Sequence, residues 1–152
     1  MDSKTYDTIA VMFNLPSYAS MDVDFDLGCI EDDTAKPLHE VMRRVVERID
    51  YVLKVLDEIL NPETNLTTVH EANVFTERER SALYIVYRHM MTLFRKSQIA
   101  DISGDDVKRA AFINEAVKVY SELKPALLDA LGKLQQAWAV EEGKQNEPGY
   151  FG

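Results

Sequence analysis

Cysteine is almost absent from this chain. Cys29 stands alone, so no intrachain disulfide can form. Glycine is nearly as scarce in the body, where only Gly104 lies between positions 29 and 131. That scarcity removes the Gly-rich phosphate loop and the dinucleotide fingerprint. No Gly-x-Ser-x-Gly elbow occurs either. No stretch approaches the ~18 consecutive apolar residues of a membrane helix, so no membrane partner is expected. Bases are outnumbered, 17 Lys and Arg against 26 Asp and Glu, for a net charge of −9. Nucleic-acid binding needs a basic field, and none is present in bulk. The opening Met1-Asp2-Ser3-Lys4 lacks the basic start and apolar run of a secretory leader. With the lone cysteine, this sets the expectation of a cytoplasmic, reducing setting.

The charge imbalance is local. Residues 1–35 hold eight acids against Lys4 alone, whereas the remainder holds 18 acids and 16 bases. The acidity therefore belongs to the N-terminal segment, and the body is close to neutral. At 152 residues the chain suits one domain, placed at 1–142, with a mobile tail over 143–152.

What the chain does have is helical periodicity. Leu38, Met42, Val45, Ile49, Val52, Leu56 and Ile59 recur at alternating steps of four and three. Such spacing puts them all on one stripe of a helix, over about 35–60. Glu40 with Arg44, and Lys54 with Glu58, are i,i+4 pairs on the opposite side. A second helix is predicted over about 77–101. Thr76 and Glu79 form a capping box at its start, and Leu83, Tyr87, Met90 and Phe94 form its stripe. A third follows the short turn at Gly104, so it should pack antiparallel to the second. Its stripe Ala110, Ile113, Val117, Tyr120 resumes beyond Pro125 as Leu127, Leu131, Leu134, Trp138. A kinked helix over about 105–141 accounts for that phase, and a reversal at Lys124 is the alternative.

The N-terminal segment is less periodic. Tyr6, Ile9, Ala10 and Phe13 fit one face of a short helix over 3–14, and a buried strand is the competing reading. Residues 17–35 read as irregular and acidic, with an extended piece at 21–27 where apolar and acidic residues alternate. Residues 61–75 read as a polar loop. The expected architecture is all-α: an up-and-down bundle of four helices, one short and three long, the last kinked. At 1.5 Å per residue the long helices span about 36–55 Å, and their unequal lengths leave part of the longest stripe uncovered.

Few constellations could carry chemistry. Asp22, Asp24 and Asp26 resemble the opening of a calcium loop, but Leu27 stands where glycine is required and Asp33 where the bidentate glutamate belongs. A solvated acidic face is the plainer reading. His39-Glu40 and His70-Glu71 begin a zinc-protease motif, yet Arg43 and Val74 occupy the second histidine position. No Glu-x-x-His accompanies any histidine, so di-iron chemistry is not indicated. Glu47-x-x-Asp50 is half of a magnesium-binding pair, and no Glu-x-x-Glu completes it. No cofactor is expected, and no catalytic residue can be named.

Two further groups invite a function. Arg43, Arg44 and Arg48, with Arg78, Arg80, Arg88, Arg95 and Lys96, would form a basic patch if their helices adjoin. That patch would take an anionic ligand, a partner or the acidic 22–33 segment, unless it is ordinary surface pairing. Tyr84, Tyr87, Met90, Met91 and Phe94 make an aromatic and thioether strip, either core or the lining of a pocket. Arg44, Arg48, Tyr84, Tyr87, Arg88 and Met91 are accordingly the candidate ligand residues. Leu127, Leu131, Leu134 and Trp138, at the uncovered end of the last helix, are the candidate interface. The expected function is self-association, giving a homo-oligomer, or docking of a partner helix. The alternative is a bundle that binds a small ligand, nucleotide or metal, with or without enzyme activity. A third reading makes residues 17–35 an acidic lid that regulates partner binding.

Overall fold

The computed structural model describes residues 1–139. The expected tail at 143–152, with Tyr150-Phe151, and the last residues of the expected domain lie outside them. The described chain is all-helical: α1 (Ser3–Phe13), α2 (Tyr18–Phe25), α3 (Pro37–Leu60), α4 (Leu66–Ala72), α5 (Glu77–Ser103) and α6 (Asp106–Ala137). A single 3₁₀ turn, Leu27–Cys29, follows α2.

The three long helices pack against one another, and paired charges show their directions. His39, at the start of α3, meets Asp101, at the end of α5, at 3.3 Å. Lys96 near the end of α5 meets Glu115 near the start of α6 at 2.6 Å, and Glu79 at the start of α5 pairs with Lys133 near the end of α6. α5 therefore runs antiparallel to both, and α3 and α6 run parallel. The turn between α5 and α6 is closed by Gly104, whose φ of +65° a side chain would disfavour.

All seven residues of the α3 stripe, Leu38 through Ile59, are buried, and Val41 and Leu53 widen it. α3 needs that width because it touches every other α-helix of the described chain: α1, α2 and α4 pack on it as well as α5 and α6. Each fully buried Leu or Ile adds about 1.5–3 kcal/mol of hydrophobic stabilisation. The capping box at the head of α5 forms as the sequence indicates. Thr76 accepts from the Glu79 amide, and the Glu79 carboxylate accepts from the Thr76 amide at 2.8 Å. α6 is continuous through Pro125, so the chain does not reverse at Lys124. The proline lacks the amide that would bond the Ser121 carbonyl, and it sits on the solvent side, where water can take that role.

The helix expected over 3–14 forms, and the competing strand does not occur. Asp2 caps it by accepting from Thr5, and Tyr6 and Ile9 face inward. Two local expectations are corrected. Residues 17–35 are not irregular throughout, because α2 occupies 18–25 behind the Ser17 cap. The alternating pattern misled: Met21 and Phe25, one helical turn apart, are buried, while Val23 between them is 76% exposed. The loop over 61–75 contains α4, capped by Asn65 and anchored by buried Thr68 and Ala72. Seven residues are too few for periodicity to reveal a helix. Short helices α1, α2 and α4 thus accompany the three long ones, six helices in place of the expected four.

Candidate functional site

The acidic residues of α2 face three ways. Asp22 and Asp24, two apart on the helix, project about 200° from each other, and Asp26 is the left-handed C-cap beyond its end, so the three carboxylates are engaged separately. Asp22 accepts from the Gly28 amide at 2.8 Å and closes the 3₁₀ turn. Asp24 meets Lys124 of α6 at 2.5 Å. Asp26 meets Arg48 of α3 at 3.3 Å, and the same guanidinium donates through Nε to the Asp24 carbonyl at 2.9 Å. The hydrogen bond that Lys124 donates to Asp24 raises the ammonium pKa above its ordinary value. Among the described residues, no three His, Cys, Asp or Glu side chains are grouped so as to hold a metal ion.

The candidate ligand residues separate into different places. Arg44 pairs with Glu47 at 3.1 Å, and its buried Nε has no partner. Arg48 is engaged with α2. Met91 packs against the core. Arg88 lines a groove of about 370 Å³ between α5 and α6, beside Ile85, His89 and Glu115. Tyr84 and Tyr87 line another, of about 460 Å³, between the end of α3 and the first half of α5. Asp57, Leu60, Asn61, Arg80 and Ser81 complete its walls. Arg80 could have been placed there from sequence, since Arg80, Tyr84, Tyr87 and Met91 follow one helical stripe. Asp57 could not, because it comes from a different helix.

Arg80 is held by the end of α4. One terminal nitrogen donates to the Ala72 carbonyl at 2.6 Å, tying α5 to the end of α4. Its Nε is buried and has no acceptor. The Asp57 carboxylate and the Tyr84 and Tyr87 hydroxyls find no hydrogen-bond partner among the described residues. Asp57 and Arg80 share a groove without an ion pair between them.

The end of α6 departs from its sequence pattern. Leu127 is buried and Leu134 is half-buried against the core. Leu131 is 37% exposed and Trp138 51%, while Leu128, outside the expected set, is 59% exposed. The cause is geometric. A strict seven-residue repeat drifts ~20° per heptad around a straight helix, so the stripe from Ala110 to Trp138 turns by about 80°. The inward positions pass to Ala116 and Ala130, which are buried. Trp138 is nevertheless oriented by its neighbours. Its indole N–H donates to Glu71 at 2.7 Å, and its ring lies 4.6 Å from that of His70. His70 Nε2 in turn is 2.8 Å from the Ala137 carbonyl, so α4 clasps the last turn of α6.

No helix among the described residues is long and apolar enough to cross a membrane. Compared with known proteins, the chain matches no family model, no curated protein and no solved structure.

Proposed function

We propose that the chain works by pairing with a second copy of itself through the outer face of the end of α6. The observation that carries this reading is the exposed apolar stripe Leu128, Leu131 and Trp138. The spacing of three and then seven residues keeps the three on one side of the helix. Of the four residues first singled out, Leu131 and Trp138 remain available, whereas Leu127 and Leu134 serve the fold.

Charge argues for a second copy as the occupant. A molecule of net charge −9 repels itself, so like copies meet most readily where charge is sparse. Between Pro125 and Trp138 only Asp129 and Lys133 are charged, and Lys133 is already paired with Glu79. A two-fold contact would set the two α6 ends antiparallel, each stripe covering the other. Release of water from the apolar faces would drive it. The exposed, unpaired Cys29 supports a reducing, cytoplasmic setting.

Sedimentation equilibrium over a concentration series tests the reading. The expected result is a species of twice 17.4 kDa. The double variant Leu128→Glu, Leu131→Glu should sediment as a monomer with unchanged helical circular dichroism. Wild-type protein that stays monomeric at every concentration, or a variant that still pairs, overturns it.

A further inference from the structure

We infer that the groove between α3 and α5 is a binding site for a small zwitterion, with an ammonium and a carboxylate on one apolar body. A free amino acid and a short peptide share that chemistry. The argument starts from two charges that line one groove and leave each other alone. Asp57 stands on the α3 wall and Arg80 on the α5 wall. The Ala72 carbonyl holds the Arg80 guanidinium, and no Asp57–Arg80 ion pair forms. The groove therefore keeps a negative and a positive end.

Each end lacks the partner that such a ligand supplies. Among the described residues the Arg80 guanidinium makes one hydrogen bond, to the Ala72 carbonyl, which leaves donor capacity at its terminal nitrogens for a ligand carboxylate. The exposed Asp57 carboxylate has no protein donor among the described residues, and it sits in the last turn of α3, where the helix presents its negative pole. An ammonium placed there meets both. Between the two ends lie Leu60 and the rings of Tyr84 and Tyr87. They offer apolar contact to the body of the ligand, and the ring faces attract its cationic end. A volume of about 460 Å³ falls within the range of small-molecule sites. This inference is independent of pairing through α6, which uses a different face.

Calorimetric titration with phenylalanine, the dipeptide Phe-Phe, phenethylamine and phenylpropionate tests the site on the full chain. The zwitterions should bind. Phenethylamine and phenylpropionate, each lacking one charge, should bind at least about tenfold more weakly, as expected for loss of a charge-assisted hydrogen bond. Binding of phenylalanine alone identifies the ligand as an amino acid, and binding of the dipeptide alone identifies a peptide. Asp57→Asn should weaken the zwitterions by a similar factor, leave phenylpropionate unaffected and leave the melting temperature unchanged. Tyr84→Ala, at an exposed position, should weaken all ligands. No heat or shift with either zwitterion, equal binding of phenylpropionate and phenylalanine, or full affinity in Asp57→Asn overturns the inference.

Discussion

Asp24 and Lys124 stand 100 residues apart in the chain and meet at 2.5 Å. Their contact fastens α2 to the middle of α6, and Arg48 completes the clamp from α3 by reaching Asp26 and the Asp24 carbonyl. The acidic segment is thus docked on basic side chains of its own body. Asp24→Asn and Lys124→Met should each lower the melting temperature and speed hydrogen exchange at α2 amides. Because both remove the same contact, the double variant should lose less than the sum of the two. Strictly additive losses would show that the pair contributes nothing as a pair.

Stability should fall on the alkaline side. Burial pushes the Tyr6 and Tyr120 phenols above their ordinary value of 10.0, and the bond donated to Asp24 raises Lys124 above 10.5. The fold prefers the neutral phenols and the charged amine. All three contributions are complete below the unfolded values and are lost as pH rises through the folded ones. Urea midpoints measured from pH 7 upward should decline beyond about pH 10. Tyr6→Phe should flatten that decline. At pH 7 the same variant should cost about 0.5–1.5 kcal/mol for its bond to the Pro16 carbonyl.

At the acid end, Asp2 works in the opposite sense. Its carboxylate is held below the ordinary 3.8, chiefly by the bond from the Thr5 backbone amide. Its contribution is present above that value and lost as pH falls. Asp2→Ala should therefore remove helicity from α1 at neutral pH and make no difference in strong acid. Circular dichroism at the two extremes checks it.

Pro125 interrupts the hydrogen-bond ladder of α6 at an exposed site. Pro125→Ala restores the amide that can bond Ser121 and removes the ring's conflict with that carbonyl. We expect a gain of about 1–3 kcal/mol in chemical unfolding. A loss would mean that the proline itself contributes to seating the end of α6.

The drift of the α6 stripe makes a sharper comparison. Leu128→Ala should change monomer stability by less than about 0.5 kcal/mol. Leu56→Ala, in the fully buried stripe of α3, should cost about 2–5 kcal/mol. Chemical denaturation of both variants separates the two environments.

Much of the fold was legible in the order of residues. The stripe on α3, the capping box at Thr76 and the turn at Gly104 depend on neighbours within one or two helical turns, and they set the long helices within a few residues. The helix over 18–25 was hidden because its acids and apolar residues alternate, and α4 because it is short and polar. Of the groove, Tyr84 and Tyr87 were visible as a stripe, and Arg80 belonged to the same stripe. Asp57 was invisible, since nothing local distinguishes it from any exposed acid.

Periodicity is a short-range property, and it dictated that the chain would be helical and where its long helices would lie. The pairing of Asp24 with Lys124, the exposure of Trp138 and the meeting of Asp57 with Arg80 in one groove arose only on packing. Each depends on the rotation of one helix against another, which spacing along a single helix does not specify.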